Sequence, residues 1–464
     1  MEHVAIPEIL TRRAQELEDF YKEFCPQLAP MVKQCFLNTI ETTVLWDRPA
    51  AQTNAKKALA QAQTAREASA AGSGAAERQE AGEQATDAFV ITGDIPAMWL
   101  RDSASQLHPY IRYAAQDDDL KAILQSVLRR QVRQVLTDPY ANAFNETDNN
   151  RGWDWENDVT EHNPWVWERK YEVDSLCAPL RFAYALYRAT GDSAPLDEAF
   201  RRMVRVIIDL WKTEQTHENS PYSFVRKGCS ETDTLPCEGK GNPVSYTGMT
   251  WSGFRPSDDR CVYGYLVPSN MMAVVALGEA AQLLEEVYRD EALAAECRAL
   301  AKEIAGGIEK YGVTEHPQFG KIYAYEADGQ GRHILMDDAN VPSLLSMPYL
   351  GYEGDLQVYE NTRRFVLSPE NPYFYSGSAA AGIGSPHTPE HCVWPIALCM
   401  QALTSHDEQE IWKCLTTLAA THAGTNFMHE SFNADDPSQF TRTWFAWANS
   451  LFGELLDNVC RAHS

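Results

Sequence analysis

The sequence predicts an all-α chain, an (α/α)6 barrel of helical hairpins with small β insertions. Three observations lead there. Apolar residues recur at helical spacing over most of the chain, while strand-like alternation is scarce. Several helices are apolar on nearly every face, which demands an interior position. Those interior helices are led in by loops dense in Trp, Asp, Arg, His and Gly. If the interior helices run roughly parallel, these loops gather at one end. Alternation of inner and outer helices then accounts for about twelve helices in a closed barrel.

The elements follow in chain order. TGDIPAMWLRDSASQLHPYIRYA supplies the first polar loop and inner helix. In DLKAILQSVLRRQVRQVL, residues Leu120, Ile123, Leu124, Val127, Leu128 and Val135 form one stripe, as an outer helix requires. WVWERKYEVDSLCAPLRFAYALY repeats the inner pattern, and EAFRRMVRVIIDLWKTEQ from Glu198 the outer one. SYTGMTW near Tyr246 is a candidate strand. GYLVPSNMMAVVALGEAAQLL is inner, and EALAAECRALAKEIAGGIEKYG from Glu291 is outer. GKIYAYEA near Tyr323 is the best strand candidate. DDANVPSLLSMPYL, GSPHTPEHCVWPIALCMQAL and TRTWFAWANSLFGELLDNV are again polar loops before apolar helices, with EQEIWKCLTTLAATHA from Glu408 among them as an outer helix. Residues 50 to 86 differ from all of this. They are rich in Ala, Gln and Glu, contain no aromatic residue, and read as a mobile insertion within one catalytic domain spanning residues 1 to 464.

Charge and composition narrow the partners. Lys plus Arg is 40 against 65 for Asp plus Glu, a net charge of −25. Such a surface repels nucleic-acid phosphates and anionic lipid headgroups, so neither nucleic acid nor a membrane is expected as partner. The N-terminus lacks the basic and apolar regions of a secretory signal, and no run of 18 uncharged apolar residues is found. Eleven cysteines with no CxxC spacing fit reduced, buried thiols and a cytoplasmic location. A loop disulfide between Cys229 and Cys237 is the alternative for that pair. Nothing demands an oligomer, and a monomer is expected.

The polar loops carry paired carboxylates. SGFRPSDD sets Asp258 and Asp259 beside Arg255, and HESFNADD sets Glu430 beside His429. DDAN supplies Asp337, Asp338 and Asn340, and WLRDS supplies Arg101 and Asp102. Hydrolysis of a glycoside needs two carboxyls flanking an acetal, one to protonate the leaving oxygen and one to activate water or attack carbon. Aromatic faces hold the sugar ring. Trp99, Trp153, Trp155, Trp165, Trp167, Trp251 and Trp444 sit beside such polar groups. Plainer readings compete. Asp102, Asp174 and Asp338 each precede an apolar run, as helix caps do. Arg101 with Asp102 also reads as a buried structural ion pair, and any one Trp as core. Six loops of one composition are nevertheless costly to bury unless they line a cleft.

Other chemistries lack their signatures. GxSxG, GxxxxGK[ST], HExxH and a GxGxxG following a strand are absent. His387 and His391 in HTPEH have zinc-like spacing, but a Pro lies between them and no third ligand is evident. A substrate-binding or structural role is preferred for both, and no metal site or cofactor is expected.

The motifs ITGDIPAMWLRDSASQLHPY, VWERKYEVDSLCAPL, WSGFRPSDDRCVYGYLVPSNMMAVVAL, DDANVPSLLSMPYLGY and GTNFMHESFNADDPSQFTRTWFAWANSLFGELL resemble glycoside hydrolase family 125. The resemblance spans nearly the whole chain outside residues 50 to 86. It implies the barrel, an exo-acting α-1,6-mannosidase working on mannose-containing oligosaccharides, inversion at the anomeric carbon, and no metal. It places the general acid at Asp258, with Asp259 as the alternative, and the general base at Glu430. Arg101 and Asp102 match the motif that holds the terminal mannose. Trp99, Arg255, Asp338, Asn340, His387, His429 and Arg442 complete the expected sugar-binding set. Inversion calls for carboxyls about 6.5–9.5 Å apart, with a water between. The competing readings are another inverting exo-glycosidase of α-glucosidase type on the same barrel, and a non-catalytic glycan-binding protein.

Overall fold

A computed structural model describes residues 1–47, 86–153, 157–160 and 163–463. Helix α1, Glu8–Phe24, packs outside α2, Ala29–Thr43. From there inner and outer helices alternate. Inner α3 (Leu100–Leu107) is followed by outer α4 (Asp118–Thr137), and inner α5 (Val173–Thr190) by outer α6 (Glu198–Glu214). Inner α7 (Val267–Leu283) pairs with outer α8 (Glu291–Tyr311), and the single inner turn α9 (Met347–Leu350) with outer α10 (Leu356–Val366). Inner α11 (Pro395–Leu403) pairs with outer α12 (Glu408–Ala420), and inner α13 (Ala446–Ala462) packs against α2. The inner helices touch in the order α3–α5–α7–α9 and α11–α13–α3. This is the (α/α)6 barrel that the periodicity predicts.

The two rings begin their helices differently. Asp117, Asp197, Asp290, Asp355 and Asp407 cap α4, α6, α8, α10 and α12, each accepting from a backbone N–H of the first turn. No inner helix has a side-chain cap. Their first amides are met by the loops instead: Leu100 N–H donates to Asn142 O, Val173 N–H to Ser252 Oγ and Val267 N–H to Tyr325 O. The capping alternative for Asp102, Asp174 and Asp338 is therefore set aside. Asp102 and Asp174 lie inside the first turns of α3 and α5, and Asp338 lies in a loop. The inner N-termini are thus tied to the polar loops, which holds those loops at one end of the barrel.

Short strands brace these loops. β1 (Met98–Trp99), β2 (Ala143–Phe144) and β3 (Val166–Glu168) form an antiparallel sheet in that order. β4 (Tyr265–Leu266), β5 (Glu326–Ala327) and β6 (His333–Ile334) form a second, with β5 central. β7 (Cys392–Val393), β8 (Ser431–Asn433) and β9 (Phe440–Thr441) form a third. The GKIYAYEA expectation holds: Gly320–Tyr323 pairs with Val313–His316, and β5 follows. The SYTGMTW expectation fails, because these residues form no strand. Gly248 takes φ +91°, where a β-carbon would meet the Glu303 carbonyl at 2.9 Å, and the Thr250 N–H goes to the Asn270 side chain rather than to a ladder.

The strand Val44–Trp46 pairs with Ala88–Val90, and Asp47 N–H donates to Asp87 O at 2.9 Å. The segment read as an insertion lies, except for Thr86, outside the described residues. The stretch Val267–Tyr288 is long and apolar enough to cross a membrane. It contains α7, an inner barrel helix whose apolar faces are used by the core. No disulfide joins any of the eleven cysteines, Cys229 and Cys237 included, and Cys237 alone is exposed.

Candidate active site

The lead-in to α3 places Trp99, Arg101 and Asp102 at the centre of the polar end. Arg101 is buried at 3% exposure. Its Nη1 donates to Glu172 Oε2 at 2.6 Å and Asp174 Oδ2 at 3.0 Å, and its Nη2 lies 3.1 Å from Asp102 Oδ2. The structural ion pair considered from sequence is present, widened to three carboxylates. Its partners come from the β3–α5 segment, where Glu168, Lys170 and Glu172 share one face of extended chain at a spacing of two.

The loop between Arg255 and Asp259 is a tight turn. Arg255 N–H donates to Asp259 O, and Asp258 N–H donates to Arg255 O. Asp258 stands at φ +67°, a left-handed conformation that few non-glycine residues adopt. The turn points the two carboxyls apart. Asp258 is partly exposed, while Asp259 is buried. Asp258 Oδ1 accepts from Trp99 Nε1 at 3.3 Å and Asn142 Nδ2 at 3.1 Å, and its backbone oxygen accepts from Lys170 Nζ at 2.8 Å. Burial works against its charge. The Lys170 ammonium, a hydrogen bond from Glu172, Arg101 and His387 outweigh that, and hold it below the usual carboxylate range. Glu172 goes the other way: burial drives its pKa well up despite Arg101, and Asp258 adds to the rise.

Asp259 Oδ1 accepts from His387 Nδ1 at 3.1 Å. Burial alone would lower the His387 pKa. The bond to Asp259, and the charges of Asp259, Glu430 and Asp258, push it up to about 9. His387 therefore sits in the fields of all three candidate catalytic carboxylates as a cation.

Glu430, at the start of the β7–β8–β9 sheet, is 7% exposed and lies 3.6 Å from Arg442 Nη1. Arg442 also donates through Nε and Nη2 to Asp94. Asp94 follows Gly93, which bridges to Phe445 at φ +125° with no room for a β-carbon beside the Trp444 carbonyl. That glycine lets two loops of the site close against each other.

The other expected residues divide. Asp338 accepts from Ser257 Oγ at 3.1 Å and from Asn340, and burial raises its pKa against the pull of Arg255. Arg255 is committed through Nε to Glu326 Oε1 at 2.6 Å. His429 has both ring nitrogens occupied, by the Arg442 carbonyl and Thr425 Oγ1, and its ring is stacked on Phe440. Its ring is thereby tied to Thr425, the Arg442 carbonyl and Phe440. Trp99, Ala97, Ala143 and Trp167 form an apolar cluster separate from the main core, and the half-exposed Trp153 meets Trp167 edge-on. Trp165 is partly exposed, Trp444 is half-buried, and Trp155 lies outside the described residues. Trp251 is a core residue, stacked on His217 at 3.4 Å. His391 turns to Asp435, and among the described residues no three His, Cys, Asp or Glu are grouped to hold a metal ion.

Sequence reasoning missed Asn142, Glu168, Lys170 and Glu172. Asn142 Nδ2 reaches Glu168, Glu172 and Asp258. The alternating charges of WERKYEVD, directly before an apolar helix, were the available signal. Asn142 had none.

The family described as metal-independent alpha-mannosidase (GH125) matches residues 25–456 of the chain. The meiotically up-regulated gene 157 protein of Schizosaccharomyces pombe is 37% identical over 461 residues, covering 95% of this chain and 84% of that protein. A Streptococcus pneumoniae metal-independent alpha mannosidase, solved as a non-productive substrate complex with alpha-1,6-mannobiose, is 43% identical. It superposes with a TM-score of 0.86 over 97% of this chain and 98% of its own.

Proposed function

The chain belongs to glycoside hydrolase family 125, the metal-independent α-mannosidases, and on that premise we propose that it is an exo-acting, inverting α-1,6-mannosidase releasing mannose from the non-reducing ends of oligomannosides. The linkage follows the mannobiose bound by the pneumococcal relative.

Asp258 is the general acid and Glu430 the general base. The observation that carries this is the placing of His387 within reach of the charges of Asp258, Asp259 and Glu430, which sets the two loops about one site. Asp258 is chosen over Asp259 because it is partly exposed, whereas Asp259 is buried on His387. Glu430 takes a proton from water, and the water oxygen attacks the anomeric carbon. Asp258 delivers a proton to the departing oxygen, and β-mannose leaves in one displacement. Asp102 meets Arg101 as an ion pair without a hydrogen bond, which leaves its carboxylate for the hydroxyls of the terminal mannose. Eight of the eleven cysteines are buried and none forms a disulfide, which supports a reducing cytoplasmic setting. The same reading takes the protein as a monomer.

Proton NMR of α-1,6-mannobiose hydrolysis in EDTA tests this. Early β-mannose is expected, and early α-mannose would overturn the single displacement. Asp258→Asn and Glu430→Gln should each lower kcat by at least about 100-fold.

A further inference from the structure

The general acid poses a difficulty. Two N–H donors converge on Asp258 Oδ1, Lys170 Nζ binds its backbone oxygen, and His387 and Arg101 stand nearby as cations. Such surroundings hold a carboxylate in its charged form, while an acid must have a proton to give. Beside Asp258 lies Glu172, 1% exposed. The two carboxyls stand against each other out of water, where their like charges resist joint ionisation and favour one proton between them. The Asn142 amide bridges them, at 3.3 Å from Glu172 Oε1 and 3.1 Å from Asp258 Oδ1. Glu172 Oε2 is fixed by Arg101 and by Ser175 Oγ at 2.7 Å, so its Oε1 faces the pair. The charged groups around Glu172 are Arg101 on α3, Asp174 on its own helix, and Asp258 on the turn.

We propose that Glu172 is a positioning residue that stores the proton Asp258 delivers. The inference rests on the mannosidase reading. As the glycosidic C–O bond breaks, its electron pair stays on the leaving oxygen. That oxygen takes the proton from Asp258, and Asp258 takes the one held by Glu172. The water that attacks carbon gives its proton to Glu430. Glu430 then returns a proton to solvent, and solvent reprotonates Glu172, so one water is consumed per bond cleaved. Two carboxyls share one proton here, as in other acid dyads.

The test compares two leaving groups in Glu172→Gln. α-1,6-Mannobiose needs its leaving oxygen protonated, whereas a 2,4-dinitrophenyl α-mannoside does not. Loss of proton storage lowers kcat on mannobiose on the order of 100-fold and changes the dinitrophenyl substrate less than about 3-fold, with KM for mannobiose little altered. Asp174→Asn loosens Arg101 without touching Asp258, and lowers both substrates alike. Equal losses in Glu172→Gln, or no loss, overturn the proposal. Should that variant not fold, Asn142→Ala removes the bridge while leaving Arg101 its carboxylates, and the same split is expected. Wild-type protein that releases no mannose would sink the mannosidase reading itself, a result distinct from either of these.

Discussion

His387 carries a charge that its surroundings impose. Its folded pKa of about 9 lies above the model-peptide value near 6.5. A raised pKa means that the protonated form favours folding. The contribution is whole below about pH 6.5 and is lost as pH climbs through 9. Thermal midpoints of wild type should fall across that window more steeply than those of His387→Gln. Parallel curves would show that the ring adds nothing. Asp258 makes a second case. Asn tolerates the left-handed backbone and Ala does not, so Asp258→Ala should be about 1 kcal/mol less stable than Asp258→Asn in urea unfolding. The sequence marked both aspartates and left them tied. What separates them is the sign of one backbone angle, and no side-chain pattern encodes it. The commitments of Arg255 and His429 were hidden for a related reason. Glu326, far away in the chain, holds Arg255 Nε, and Thr425, in a neighbouring turn, holds His429 Nε2.

Among the elements, α3, α5 and α13 meet at Arg101. Its guanidinium joins the first turns of α3 and α5 and lies 5.7 Å from the Trp447 ring on α13. Arg101→Met would keep the volume and remove the cation from buried Asp102 and Asp174. Breaking a buried ion cluster from one side costs about 3–5 kcal/mol, to be read from the denaturation midpoint. A smaller loss would mean that these carboxyls take up protons cheaply. Inner and outer helices were legible because burial on all faces and burial on one stripe leave different residue patterns. The lack of a strand at Tyr246 was not, because alternation over a few residues says nothing of whether a neighbour offers a ladder, and the turn at Gly248 leaves none here. The capping aspartates were legible in type but assigned to the wrong ring. The outer helices begin in solvent and need a side-chain acceptor, whereas the inner ones begin against loop backbone.

At the scale of the whole molecule, the described strands on either side of residues 48–85 already pair, with Trp46 opposite Ala88. Replacing residues 48–85 by a short Asn-Gly turn should leave mannose release within about 2-fold and stabilise by up to about 2 kcal/mol, through the smaller loop-closure entropy. A collapse of activity would instead give that segment a part in the site. The barrel could be read from the sequence because it repeats one hairpin pattern, whereas the site depends on contacts between repeats. Lys170 to Asp258 and Arg442 to Asp94 each join distant parts of the chain. The distribution of thiols also makes the molecule its own gauge of integrity. Eight cysteines are buried, Cys25 and Cys229 are half-covered, and Cys237 stands open. A colorimetric thiol reagent should therefore consume one equivalent rapidly in the native protein and eleven once it is unfolded, so that the extra absorbance counts unfolded chains without any substrate or label.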